Sequence, residues 1–127
     1  MVMSEVHKKE VVVTPEERVE RIDELLSHVW MVRTFLKHSD EAEEDDDLND
    51  VHRTLYDYML ALGAPLQSGD TEKYLKLAKK KSKKLLGAKE LFLEVQPEIS
   101  GHTNFKMASA SLALAVGQIV RLLEDVG

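Results

Sequence analysis

Apolar positions recur along this chain with a helical period of 3.6 residues in four stretches. The first opens at Thr14-Pro15-Glu16-Glu17. A threonine three residues before a glutamate, with proline at the first helical position, reads as a capping box. Val19, Ile22, Leu25, Leu26, Val29, Val32 and Leu36 then fall on one face, which predicts a helix to about Lys37. The second stretch follows a run of aspartates suited to capping. It presents Leu48, Val51, Leu55, Tyr58, Met59 and Leu62, and Gly63 with Pro65 is expected to end it.

Asp70 or Thr71 caps the third predicted helix. Its stripe is Tyr74, Ala78, Lys81, Leu85, Ala88, Phe92 and Val95, with Lys81 the one polar member, and Pro97 and Gly101 mark the next break. The fourth helix is predicted from near Thr103 to about Asp125. Phe105, Ala108, Leu112, Ala115, Val116, Ile119 and Leu123 form its main stripe. Four amphipathic helices with no alternating strand pattern predict an all-α fold, an antiparallel (up-down) four-helix bundle over residues 15–127. Residues 1–14 are expected to be a short flexible arm.

Composition sharpens what chemistry is open. In 127 residues, 43% are hydrophobic, enough for a packed core and too many for a disordered chain. The absence of cysteine excludes a disulfide framework, a thiolate metal site and a cysteine nucleophile. The charge-free stretch Met107 to Val120 is diluted by Ser109, Ser111, Gly117 and Gln118. It falls short of the roughly 20 apolar residues of a membrane span, so a buried helix and no span are expected. The Val11-Val12-Val13 run is too short for the core of a signal peptide. A cytoplasmic location is the expectation.

The net charge of −6 conceals two opposed blocks. Residues 38–57 hold nine acids against Arg53, and residues 73–89 hold eight lysines and no acid. Lys76, Lys79, Lys80 and Lys83 project away from the third helix's apolar stripe and form a candidate polyanion face. That face has neither arginine nor an aromatic ring for stacking. Together with the acidic total, this argues against a nucleic-acid partner. The acidic run 40–47 lacks the glycine of a calcium loop. No Glu-x-x-His pair of the kind that builds dinuclear centres in bundles is present. No metal and no cofactor are expected.

Two histidines offer alternative chemistry. Gly101-His102-Thr103-Asn104-Phe105-Lys106 precedes a helix rich in small residues and resembles the site of a histidine phosphotransfer domain, also a four-helix bundle. The resemblance implies a phosphorylated His102 with Lys106 nearby. It covers about six residues, and the lysine stands four places after the histidine where that family has three. Arg33 and His38 have the Arg-x4-His spacing, which is similar to the short motif of helical ribonucleases of toxin–antitoxin systems. That resemblance implies a catalytic pair acting across a dimer. His52, beside Leu48, Leu55 and Met59, reads as a hydrogen-bonded histidine at the core's edge.

The surplus of apolar surface decides the leading expectation. Trp30, Met31 and Phe35 fall outside the core stripe of the first helix, and Met107, Ala110, Leu114 and Gly117 lie opposite that of the fourth. One core cannot absorb every direction of both helices, so these residues are expected to form a partner interface. The function expected is self-association, as a homodimer, or binding of another protein, with no catalytic residue. The alternatives are the two histidine-based activities and polyanion binding.

Overall fold

The structure, a computed structural model, describes residues 13–126. Six helices account for nearly all of them: α1 (Pro15–Lys37), α2 (Asp40–Glu44), α3 (Asp46–Ser68), α4 (Thr71–Lys80), α5 (Ser82–Ile99) and α6 (Thr103–Leu123). No strand occurs among the described residues. The arm expected over residues 1–14 lies outside them up to residue 12.

The chain starts as its capping signals dictate. The Thr14 hydroxyl accepts from the Glu17 N–H at 3.1 Å, and the Glu17 carboxylate accepts from the Thr14 N–H at 2.9 Å. These bonds hold the Glu17 carboxyl below its usual range. Asp45 caps α3 by accepting from Leu48 N–H at 2.9 Å, and Asp70 caps α4 by accepting from Lys73 N–H at 3.1 Å. Each satisfies a donor that the first turn of a helix leaves open.

Two of the expected helices differ from the sequence reading. The second does not stop at Gly63 and Pro65 but runs to Ser68. A proline inside a helix removes one backbone bond. Here Pro65 and Leu62 are both buried, and that packing carries the helix through. The stop is Gly69, whose φ of 71° lies in the left-handed region that glycine enters without a Cβ clash. Asp70 N–H then closes back on the Pro65 carbonyl at 2.9 Å, the six-to-one bond of a Schellman end. The last helix-breaking proline before α6, Pro97, also lies inside its helix, although it is exposed, and α5 ends at Ile99 with Ser100 in extended conformation.

The third expected helix is broken at Lys81 into α4 and α5. Lysines at 76 and 80, 79 and 83, and 80 and 84 set like charges one turn apart, which weakens a helix. The Ser82 hydroxyl also donates to the Lys79 carbonyl at 2.7 Å. An unbroken helix would give the Ala78 carbonyl to the Ser82 N–H. Instead that carbonyl receives the buried Tyr58 hydroxyl at 2.9 Å. One further helix, α2, forms in the acidic connection, where the Ser39 hydroxyl accepts from Ala42 N–H and Ala42 is buried.

The long helices close into a ring. α1 packs between α3 and α6, and α5 packs between the same two; α4 lies on α3 and α1. Arg18, early in α1, donates to the Leu122 carbonyl late in α6, while Phe35, late in α1, meets Phe105, early in α6. These two helices therefore run antiparallel. The core contains every residue of the α6 stripe and, from α1, Ile22, Leu26, Val29, Val32 and Leu36.

The two buried tyrosines make a paired test of polar satisfaction. Burial raises both phenols above their ordinary range, but only Tyr58 has a partner; the Tyr74 hydroxyl finds none in the protein. Tyr58→Phe leaves the Ala78 carbonyl without that donor and is expected to cost about 1 kcal/mol in urea unfolding, whereas Tyr74→Phe costs less.

Candidate functional site

The seam between α1 and α3 gathers the most distinctive side chains. Trp30, Arg33 and Lys37 follow one another at helical spacing on α1, and His52, Tyr56, Met59, Gly63 and Leu66 do so on α3. The Trp30 and Tyr56 rings lie 6.4 Å apart at 42°. The Arg33 guanidinium carbon sits 4.9 Å from the Trp30 ring and 4.5 Å from the Tyr56 ring. A guanidinium at that range is attracted by the ring quadrupoles. Arg33 takes two aromatic rings as neighbours, and its Nε is buried with no hydrogen-bond acceptor.

On either side of Trp30 the seam opens. Towards the start of α1 lies an apolar groove of about 460 Å³ lined by Leu26, Trp30, Met31, Met59, Leu62 and Leu66, with Asp23 and Ser27 at its edge. Trp30 is 44% exposed and Met31 67%. Towards the end of α1 lies a second open cleft of about 460 Å³, lined by Arg33, Lys37, His52, Arg53, Tyr56 and Asp57. His52 Nε2 contacts the Asn49 carboxamide oxygen at 2.9 Å. Partial burial lowers the His52 pKa, and the charges of Arg33, Arg53 and Lys37 lower it further.

The expected interface residues divide. Trp30 and Met31 share the α1–α3 groove. Phe35 does not join them: it is half-buried, edge-on to Phe105 with centroids 4.9 Å apart, and serves the α1–α6 contact. Met107, Ala110 and Leu114 are exposed along the outer side of α6, with Met107 at 61% and Leu114 at 65%, and Gly117 is half-buried at the end of that row. Leu66 and Leu60 are exposed apolar residues that the sequence reading missed. Leu66 sits past Pro65, where a loop was expected, so its helical phase was lost from view.

The other candidates are scattered or already engaged. Lys76, Lys79, Lys80 and Lys83 are all exposed, but the break at Lys81 puts Lys83 on a different helix from the rest. Lys79 Nζ donates to the Leu123 and Glu124 carbonyls at 2.9 and 3.1 Å, closing the end of α6. A cation there complements the helix dipole. His102 caps α6, its Nδ1 accepting from Asn104 N–H at 3.0 Å. His38 caps the end of α1, five residues and about 140° of helical rotation from Arg33, so the two do not share a face of one chain. His28 lines a separate, larger cleft between α1 and α6 that mixes Arg18, Arg21 and Arg121 with Glu24, Glu124 and Asp125. The four described histidines thus stand at four places. Among the described residues no three His, Asp or Glu side chains form a metal-holding group.

By length and mean hydropathy, 1.3 over its best window, α6 also meets the minimum for a membrane-crossing helix, while one of its faces lies in the core. Compared with protein-family models, curated proteins and solved structures, the chain matches none.

The depressed His52 pKa has a signed consequence. The folded protein holds the His52 proton less readily than the unfolded chain, whose histidine titrates near 6.5. Stability contributed by neutral His52 is therefore present above that pH and is lost as pH falls below it towards the folded pKa. An NMR titration should place the His52 midpoint below 6.5. Between pH 7.5 and 5.5 the unfolding free energy of His52→Gln should depend less on pH than that of the wild type.

Proposed function

We propose that this protein works by binding another protein chain, in the first instance a second copy of itself, and has no catalytic role. The observation that carries this reading is the convergence of Trp30, Met31 and Leu66 around an open apolar groove. Apolar side chains scattered singly over a surface need no explanation, but neighbours lining one groove keep water against a continuous apolar face. Aromatic residues and methionine are also the types enriched where protein interfaces bury their centres. The exposed Met107–Leu114 row on α6 supplies a second apolar face, with the small residues Ala110 and Gly117 allowing close approach of another helix.

The architecture that supports this reading is an antiparallel four-helix bundle made by α1, α3, the α4–α5 pair and α6, with α2 as a short insertion. A binding role fits such a frame because its rigid helices hold the groove open without loops. The histidine-based readings draw less support. His102 spends its ring nitrogen as a cap, and Arg33 and His38 diverge on one chain.

Sedimentation velocity at high micromolar concentration tests the proposal. The wild type is expected to form a dimer, and Met31→Glu or Leu114→Glu to shift it to monomer with an unchanged helical circular-dichroism spectrum. A wild type that stays monomeric throughout would remove self-association. Two glutamate variants that both dimerise as the wild type does would place the contact elsewhere.

A further inference from the structure

We propose that the cleft between the end of α1 and the second and third turns of α3 is a binding site for a compact tetrahedral oxyanion, the phosphoryl group of a small molecule. This goes beyond the docking role and does not depend on it, because the apolar groove lies on the other side of Trp30.

The cleft places three permanent cations, Arg33, Lys37 and Arg53, around one opening that holds a single acid, Asp57. Its volume of about 460 Å³ is in the range of small-molecule sites. Cations of three side chains from two helices do not gather at low cost, since each repels the others. Arg33 is also not free to swing into water. The Trp30 and Tyr56 rings hold its guanidinium at 4.9 and 4.5 Å, and its Nε is buried without an acceptor. A guanidinium fixed by stacking loses little further freedom on binding, and its planar fork suits a phosphoryl group. Lys37 and Arg53 are exposed and line the same opening.

His52 supplies the reporter. Its Nε2 faces the Asn49 oxygen, so the neutral ring carries its proton on Nε2 and leaves Nδ1 as a lone pair. The three surrounding cations disfavour a second proton. An anion among them cancels that repulsion and gives the proton on Nδ1 a counter-charge. Anion binding and protonation of His52 must then assist each other reciprocally.

The test follows the His52 ring by NMR as pH is varied, in chloride and then in inorganic phosphate at equal ionic strength. Sulfate, a dianion across the whole titration, separates the protein's proton from that of phosphate itself. The His52 midpoint is expected to rise by about one pH unit in both oxyanions, equivalent to roughly tenfold tighter binding to the protonated ring. His28, His38 and His102 should stay where chloride leaves them. Arg53→Gln combined with Lys37→Gln, both at exposed positions, should abolish the shift. Asp57→Asn removes the one opposing charge and should tighten phosphate binding several-fold. Equal movement of His28, His38, His52 and His102 would mean bulk screening and overturn the site, as would a His52 shift unchanged in the double variant. A response to the dicarboxylate succinate as large as that to phosphate would overturn the tetrahedral preference.

Discussion

The buried bond from the Tyr58 hydroxyl to the Ala78 carbonyl is the constraint that ties α3 to the lysine-rich segment. It is made beside the break between α4 and α5, and supplies a donor to a carbonyl that the break takes out of the helical ladder. An orphaned carbonyl there would cost a desolvation penalty with nothing to offset it. With that group satisfied, the two helices of one amphipathic segment share α3 and differ in their other main neighbour. α4 lays Tyr74 and Ala78 against α3 and α1, while α5 lays Leu85, Ala88 and Phe92 against α3 and α6.

The core was legible because burial follows helical phase. The stripes on α1 and α6 read from spacing alone coincide with the buried residues, apart from Val19 and Leu25, which are only partly covered, and Ser109, which is buried off the stripe. The break at Lys81 was invisible for the same reason. Its backbone, at φ −96° and ψ 2°, departs little enough from helical geometry that Tyr74, Ala78, Leu85, Ala88 and Phe92 keep one phase across it. Phase reports which side a residue faces and is silent on a local break in the backbone ladder. The end of α3 was misread for a different reason. Gly63 and Pro65 are helix breakers by local propensity, but Leu62 and Pro65 are buried, and tertiary burial outweighs a single lost bond.

The candidate site was only partly legible. Trp30 and Met31 stood out as surplus apolar positions on one helix, whereas Arg33 drew notice only for its spacing from His38. Nothing in the spacing of one helix could place Tyr56 over Arg33, since that depends on the register of α3 against α1. His52 was read correctly as a hydrogen-bonded histidine at the core's edge, but its three cationic neighbours come from two helices. Charge totals misled in the same way. Residues 38–57 sum to a strongly acidic block, yet His52 and Arg53 within that block face Arg33 and Lys37 across the seam, and the local surface there is cationic.

The same register explains why one seam has two characters. From Asp23 to Lys37, α1 presents an acid and apolar residues first and cations last, whereas α3 presents His52 and Arg53 first and Leu66 last. Laid side by side in opposite directions, the two helices bring cationic end to cationic end and apolar end to apolar end. Parallel packing would have put each cationic end against an apolar one and produced neither surface. Trp30 sits at the junction, with its edge in the groove and its face under the Arg33 guanidinium. Removing the ring would therefore act on both sides at once: it would strip apolar area from the groove and free the guanidinium that the cleft relies on being held. Arg33 acts on the cleft alone, and Met31 on the groove alone, so the two surfaces remain separable by substitution although they share one residue.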